Sequence, residues 1–186
     1  MRKLVWQMMA SLDGFMEGPK KEIDWHVVDD EFLRYVVSAL KKTDTILFGR
    51  ATYEMMAAFW PSAKSPEAPF MNGLPKIVFS RTLSRVVWSN SRLAEGNIED
   101  EVRRLKNQPG KEIALYGSST LASTLLRLGL IDEIRVFVNP VVLGRGNPMF
   151  KDADKLSLKL LKTQRFRSGN VLLYYQPQYS KRAAQK

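Results

Sequence analysis

The stretch Ala114-Leu-Tyr-Gly-Ser-Ser-Thr-Leu-Ala-Ser-Thr-Leu-Leu-Arg-Leu-Gly-Leu-Ile-Asp-Glu-Ile-Arg-Val-Phe-Val138 decides the fold. It reads as a short buried strand over 113–116, a turn at Gly117, a helix opened by Ser118 or Ser119, a stop at Gly129, and a second strand over 134–138. Leu121, Leu125 and Leu128 recur at helical spacing, so one stripe packs on a sheet. The helix is then the crossover that two parallel strands require, and the unit is β-α-β. Its first turn points unpaired amides outward from the carboxyl end of the strand, a place that suits a phosphate. The same junction also serves as a plain turn, and spacing leaves both readings open.

Outward from this unit the pattern repeats. Residues 4–10 form a near-continuous apolar run, as expected of a strand buried on both faces in mid-sheet. Ser11-Leu-Asp-Gly14 turns the chain into a loop long enough to cover something, and Asp13 either caps its own turn or stands beside a ligand. Asp29-Asp30-Glu31 opens a helix with Phe32, Leu33, Val36, Val37 and Leu40 on its buried stripe. Residues 45–48 form the next strand, and Gly49-Arg50-Ala51-Thr52 leads into a helix that Pro61 ends. Arg50 there either pairs with a phosphate or bonds loop carbonyls at the surface. Residues 62–75 read as a surface loop, 76–79 as a strand closing on Ser80-Arg81-Thr82, and 86–88 as a brief strand. Asn97 caps a helix carrying Ile98, Val102 and Leu105. Ser168-Gly169-Asn170 signals a hairpin between strands over 156–167 and 171–176, so the sheet is mixed.

Composition excludes several classes of function. A chain of 186 residues with 45% hydrophobic content is one soluble domain, taken here as 1–177, followed by a basic tail over 178–186 that carries Lys181, Arg182 and Lys186 and is expected to be disordered. No eighteen-residue apolar run and no secretory leader is visible, so neither membrane nor export is expected and the location is cytoplasmic. Without cysteine and with His26 as the single histidine, thiolate and multi-histidine metal sites are ruled out, no metal is expected, and no hydrolase triad can be assembled. His26, just before a helix, reads as a surface or hydrogen-bonded residue. A formal charge of +10 favours an anionic partner. The sign does not choose among nucleic acid, a membrane face and a phosphorylated small molecule; no stacked aromatic-and-basic module or finger spacing is present, so no nucleic-acid partner is expected.

Taken together, Ser11-Leu-Asp-Gly14, Leu47-Phe-Gly-Arg50 with Thr52, Val78-Phe-Ser-Arg81, Tyr116-Gly-Ser-Ser-Thr-Leu121, Gly129-Leu-Ile-Asp-Glu133 and Pro140-Val-Val-Leu-Gly-Arg-Gly146 resemble the dihydrofolate-reductase-like superfamily, in the branch of the riboflavin-biosynthesis reductase domain. The resemblance runs from about residue 4 to 176. It implies a three-layer α/β fold: a mixed, mostly parallel sheet of about eight strands, helices on both faces, a C-terminal antiparallel hairpin, and NADPH at the carboxyl ends of the strands. By position, Gly49, Arg50 and Thr52 resemble the segment that receives cofactor phosphate, and Ser80 with Arg81 the pair near the 2′-phosphate. Gly117 with Ser118 resembles the glycine pair under the pyrophosphate, with Ser119 and Thr120 following at the helix start. Asp13 falls in the loop that closes over the nicotinamide, and Asp30 at the helix carboxylate that binds pterin in folate reductases.

The implied activity is hydride transfer from NADPH to a small heterocyclic or sugar-derived substrate, as in 5-amino-6-(5-phosphoribosylamino)uracil reductase and dihydrofolate reductase. The alternative is a ligand-binding protein on the same fold without turnover. Where the riboflavin enzymes tend to carry Glu-Gly-Gly this chain has Tyr116-Gly117-Ser118, and no residues remain for the zinc deaminase often fused to them. Leu172, Leu173, Tyr174 and Tyr175 want cover on both faces of the last strand, and the related reductases often dimerise through their sheets, so a homodimer is expected.

Overall fold

The computed structural model describes residues 1–151 and 153–179. In chain order it contains β1 (Leu4–Ala10), β2 (Phe15–Glu17), α1 (Asp30–Leu40), β3 (Thr43–Gly49), α2 (Arg50–Phe59), a 3-10 turn (Trp60–Ser62), α3 (Ala68–Gly73), β4 (Lys76–Phe79) and β5 (Ser91–Leu93). There follow α4 (Ile98–Asn107), β6 (Glu112–Tyr116), α5 (Ser119–Arg127), β7 (Glu133–Val138), β8 (Asn147–Pro148), β9 (Ser157–Arg165) and β10 (Val171–Gln178). Eight strands form one sheet in the order β5-β4-β3-β6-β1-β7-β10-β9, with β2 and β8 paired apart from it. The first six are mutually parallel; β10 runs antiparallel to both β7 and β9. β1 lies in mid-sheet, as its apolar run requires.

Alternation divides the side chains between two layers of helices. Leu4, Trp6, Leu47, Leu115, Ile134 and Val136 face α4 and α5, meeting Val102, Leu105, Leu121 and Leu125. On the other face Ile46, Phe48 and Val78 meet Leu40, Tyr53 and Met71, while Phe137 and Leu172 meet Phe32 of α1. Among the described residues no helix is long and apolar enough to cross a membrane.

Three local expectations are corrected. Residues 62–75 are not merely loop, because α3 forms within them and buries Ala68 and Met71. At six residues it is too short to show a period, and it is held from outside: the buried Lys76 Nζ donates to the carbonyls of Met71, Asn72 and Leu74 at 2.8, 3.2 and 2.6 Å. Residues 86–88 form no strand, since the amides of Val87 and Trp88 both donate to Tyr53 Oη and leave none for a ladder; β5 begins at Ser91. The final strand runs through Gln178, and Tyr179 Oη donates to the Ile131 carbonyl at 2.8 Å, so the tail starts later than 178; residues 180–186 lie outside the described residues.

Candidate functional site

Parallel strands put their carboxyl ends on one edge, and the sheet order β4-β3-β6-β1 sets the predicted segments side by side along it. Ser80-Arg81 follows β4, Gly49-Arg50 ends β3 and starts α2, Gly117-Ser118 follows β6, and Ser11 to Asp13 follow β1. Three interstrand steps cover roughly 14 Å. That row is the crevice where open α/β sheets take ligands.

Its middle is an interlock between two turns. A Cβ on Gly49 would lie 2.6 Å from Ser118 Oγ, and a Cβ on Gly117 would lie 2.6 Å from Thr52 Oγ1. Each glycine therefore admits the other turn's hydroxyl residue, which draws the amino ends of α2 and α5 together. Gly117 takes φ +67° and Ser118 takes φ +48°. The left-handed conformation at Ser118 costs roughly 1–2 kcal/mol for a residue with a Cβ, and such strain clusters at functional sites. Ser118 nevertheless caps α5, accepting from the Leu121 amide at 3.3 Å. Gly49, the cap position of α2, gives its first turn no side-chain acceptor, so amides there remain open to an anion. Ser119 is buried in the first turn of α5 and Thr120 is exposed beside it.

The cationic and hydroxyl side chains are less converged. Arg50 is half-exposed and pairs with Glu54 one turn along α2 at 2.8 Å. Ser80 Oγ accepts from the amides of Thr82 and Leu83 at 3.1 and 2.9 Å, closing the turn after β4 and leaving Arg81 exposed at its tip.

Asp13 does not serve only its own turn. Its carboxylate accepts from the amides of Leu143 and Gly144 at 3.1 and 2.7 Å, clasping the loop that follows β7. The Ser11 hydroxyl first, and then these amides, hold its pKa below the usual carboxylate value. The same two loops are joined by the β2–β8 ladder and by Asn147 Nδ2 donating to Glu17 Oε1 at 2.6 Å. Val27 is gripped from both sides: its amide donates to Asn139 Oδ1 at 2.9 Å and its carbonyl accepts from Asn170 Nδ2 at 2.8 Å. Both asparagines are fully buried, and together they strap residues 18–29 across the ends of β7 and β10. Sequence reading missed this strap and the β2–β8 ladder; Ser168-Gly169-Asn170 signals a hairpin without showing the long-range partner of Asn170.

His26 lies within the strap, edge-on to Trp25 at 4.4 Å, and its Nε2 is buried without a hydrogen-bond partner. Burial depresses its pKa to about 4, so the ring is neutral. Asp30 opens α1 as an exposed residue, while Asp29 caps that helix through the Phe32 amide. Among the described residues no cluster fit to hold a metal ion occurs.

Sequence and structure comparisons place this geometry. A family model, the RibD C-terminal domain, matches residues 2–172. The chain belongs to the RibD C-terminal domain family. Protein YyaP of Bacillus subtilis (strain 168), itself uncharacterized, is 36% identical over 180 residues, covering 94% of each chain. The RibD C-terminal fold recurs in a diaminohydroxyphosphoribosylaminopyrimidine deaminase/5-amino-6-(5-phosphoribosylamino)uracil reductase of Thermotoga maritima, at TM-score 0.68 and 16% identity, over 95% of this chain and 57% of that one. Dihydrofolate reductase of Enterococcus faecalis, solved with NADP(H), matches at TM-score 0.64 and 14% identity over 95% of this chain and 97% of that one. The architecture is thus the dihydrofolate-reductase-like fold expected from the sequence.

Proposed function

We propose that this RibD C-terminal domain protein is an NADPH-dependent reductase that delivers hydride to a C=N or C=O carbon of a small heterocyclic or sugar-derived substrate. The observation that carries the reading is the Gly49–Ser118 and Gly117–Thr52 interlock, which sets two helix amino ends at the carboxyl ends of adjacent parallel strands. Amides, hydroxyls and guanidinium groups in a row suit a dinucleotide. The α2 and α5 amides with Thr52 would hold the pyrophosphate, and Ser80 with Arg81 and Arg50 the 2′-phosphate. NADPH supplies the hydride; the protein supplies position and electrostatics. Asp13 acts through the 143–144 loop, holding the cover over this edge in place.

The strand at the sheet edge supports a homodimer: β9 is exposed along nearly its whole length, with Leu158, Leu160 and Leu161 between 36% and 51% accessible. A second copy would cover it, and a monomer mass by sedimentation at micromolar concentration would remove that part. Oxidation of NADPH by the purified protein, followed against a panel of cyclic imines, lactams and ketoses, tests the activity. Nucleotide binding with no turnover on any panel member would instead favour the ligand-binding alternative.

A further inference from the structure

The amino ends of the strands carry a second convergence of polar groups, at the edge opposite the one assigned to the nucleotide. Sheet order sets β3, β6 and β1 side by side, so the segments that lead into them meet. Each is basic: Lys41-Lys42 precedes β3, Lys111 precedes β6 and Arg2-Lys3 precedes β1. Neighbouring strands lie about 4.8 Å apart, so the set falls within roughly 10 Å of sheet. Residues 1–3, 41–42 and 110–112 line an open cavity of about 440 Å³ there. The frame beneath these cations is fixed. The Glu112 amide donates to the Lys42 carbonyl at 3.0 Å and the Ile113 amide to the Lys3 carbonyl at 2.8 Å, which ties the three segments together. Arg2 is buried among them: its guanidinium pairs with Asp44 and donates to Thr45 Oγ1 at 2.8 Å and to the Lys111 carbonyl at 2.9 Å. Gly110, at φ +148°, leaves the space this needs, since a Cβ there would fall against Asp44 Oδ2.

The carboxylates nearby are spent on other cations. Asp44 is taken by Arg2 and by the Lys111 amide, the latter at 2.6 Å. Both oxygens of Glu112 are taken by Arg135, and Glu133 is divided between Arg135 at 2.7 Å and Lys3 at 3.5 Å. Carbonyls at the end of α1 are engaged too: those of Val37 and Ala39 accept from the amides of Lys41 and Lys42, and that of Lys41 accepts from the Lys111 ammonium at 2.9 Å. Lys41, Lys42 and Lys111 are all exposed, and among the described residues no carboxylate pairs with their ammonium groups. Positive charge is left over at this edge, on a backbone that does not have to rearrange to present it.

We infer that this cavity is a site for a compact polyphosphate anion, the diphosphate or triphosphate group that inorganic and nucleotide ligands share, held by the ammonium groups of Lys41, Lys42 and Lys111. Uncompensated ammonium groups on segments already bonded to each other match its multiple negative charge. Lysine presents a compact charge with several donors, which suits phosphate oxygens, whereas the guanidinium of Arg2 is committed to Asp44. Among the described residues no aromatic ring lines the cavity, so a nucleic-acid strand would find no stacking platform. Met1 is the one apolar side chain in the lining, too little to anchor a lipid surface. Because the site lies across the sheet from the Gly49–Gly117 interlock, it stands or falls independently of the nucleotide reading.

Amide spectra of the full chain, titrated with inorganic triphosphate and with ATP at physiological ionic strength, provide the test. Signals of residues 41, 42, 111 and 112 report this edge, and those of 50 and 118–120 report the other. Inorganic triphosphate should shift the first set and saturate. ATP doing the same with similar affinity makes a nucleotide's phosphate tail a source of the ligand, and a response to triphosphate alone makes the source the free anion. Lys41→Gln combined with Lys42→Gln removes two charge-assisted contacts and should weaken binding by roughly tenfold or more with Tm nearly unchanged. Lys64→Gln combined with Lys155→Gln removes the same charge from exposed positions elsewhere and should leave binding intact. Equal weakening by the two pairs would mean that overall charge and not this site attracts the anion, and would overturn the inference. So would shifts confined to residues 50 and 118–120, no saturable shift with triphosphate, or hexaglutamate binding as tightly as triphosphate.

Discussion

Replacing Gly117 with Ala separates backbone geometry from ligand contact more finely than a larger side chain would. Two costs arise. Holding alanine at φ +67° costs roughly 1–2 kcal/mol. The new Cβ also lands 2.6 Å from Thr52 Oγ1 and 2.7 Å from its Cγ2, and overpacking of that kind costs typically ~1–3 kcal/mol. A total near 3 kcal/mol lowers Tm by about 6–12 °C in a domain of this size. Thr52→Ala removes both clashing atoms, so in that background Gly117→Ala should cost only the backbone share, a coupling of about 1–2 kcal/mol in a double-mutant cycle. Thermal unfolding of the wild type, both single variants and the double variant measures it. Strict additivity, with coupling under about 0.5 kcal/mol, would refute the interlock. NADPH affinity of the folded double variant then reports the ligand contact alone: weak binding in a restored fold assigns Gly117 to the nucleotide, and wild-type affinity restricts it to the turn.

The remaining predictions concern Lys76 and His26. Lys76→Met would leave three carbonyls around α3 without their donor and lose the contact with the Trp88 ring at 4.4 Å, so it should destabilise by about 3 kcal/mol in chemical unfolding. Retention of full stability would show that α3 stands without this lysine. For His26, the unfolded chain binds a proton near pH 6.5 and the fold only near pH 4, so acid favours unfolding and stability rises with pH across that window. The ring is partly solvated, which reduces the effect to roughly 1–2 kcal/mol. His26→Gln should flatten the rise in Tm between pH 4 and 6.5, and an unchanged slope would assign it to other groups.

Local pattern was enough for the elements whose stability is local or strongly periodic. The apolar run of β1, the Leu121–Leu125 stripe of α5 and the Asn97 cap of α4 each show in a few consecutive residues and form as expected. What escaped depends on partners far along the chain. Lys76 gives no sign in sequence that its amine ends α3, nor Tyr53 that its hydroxyl takes the amides of residues 87 and 88. The site was legible as segments and not as contacts. Gly49 and Gly117 stand out as glycines between strand and helix, but only the packing of the β3 and β6 ends shows that Gly49 makes room for Ser118 and Gly117 for Thr52. Gln7 reads as a blemish in an apolar strand until its neighbours on β6 and β7 prove polar as well.

The central claim, a dinucleotide along the β4-β3-β6-β1 edge with its extra phosphate near Arg81, is tested most directly by titrating wild type and Arg81→Ala with NADPH and NADH. A charge-assisted contact is worth about 1.5–3 kcal/mol, so wild type should prefer NADPH by at least roughly tenfold, and Arg81→Ala should narrow that preference with Tm unchanged. Equal affinity for the two nucleotides in wild type, or no binding of either, would contradict it.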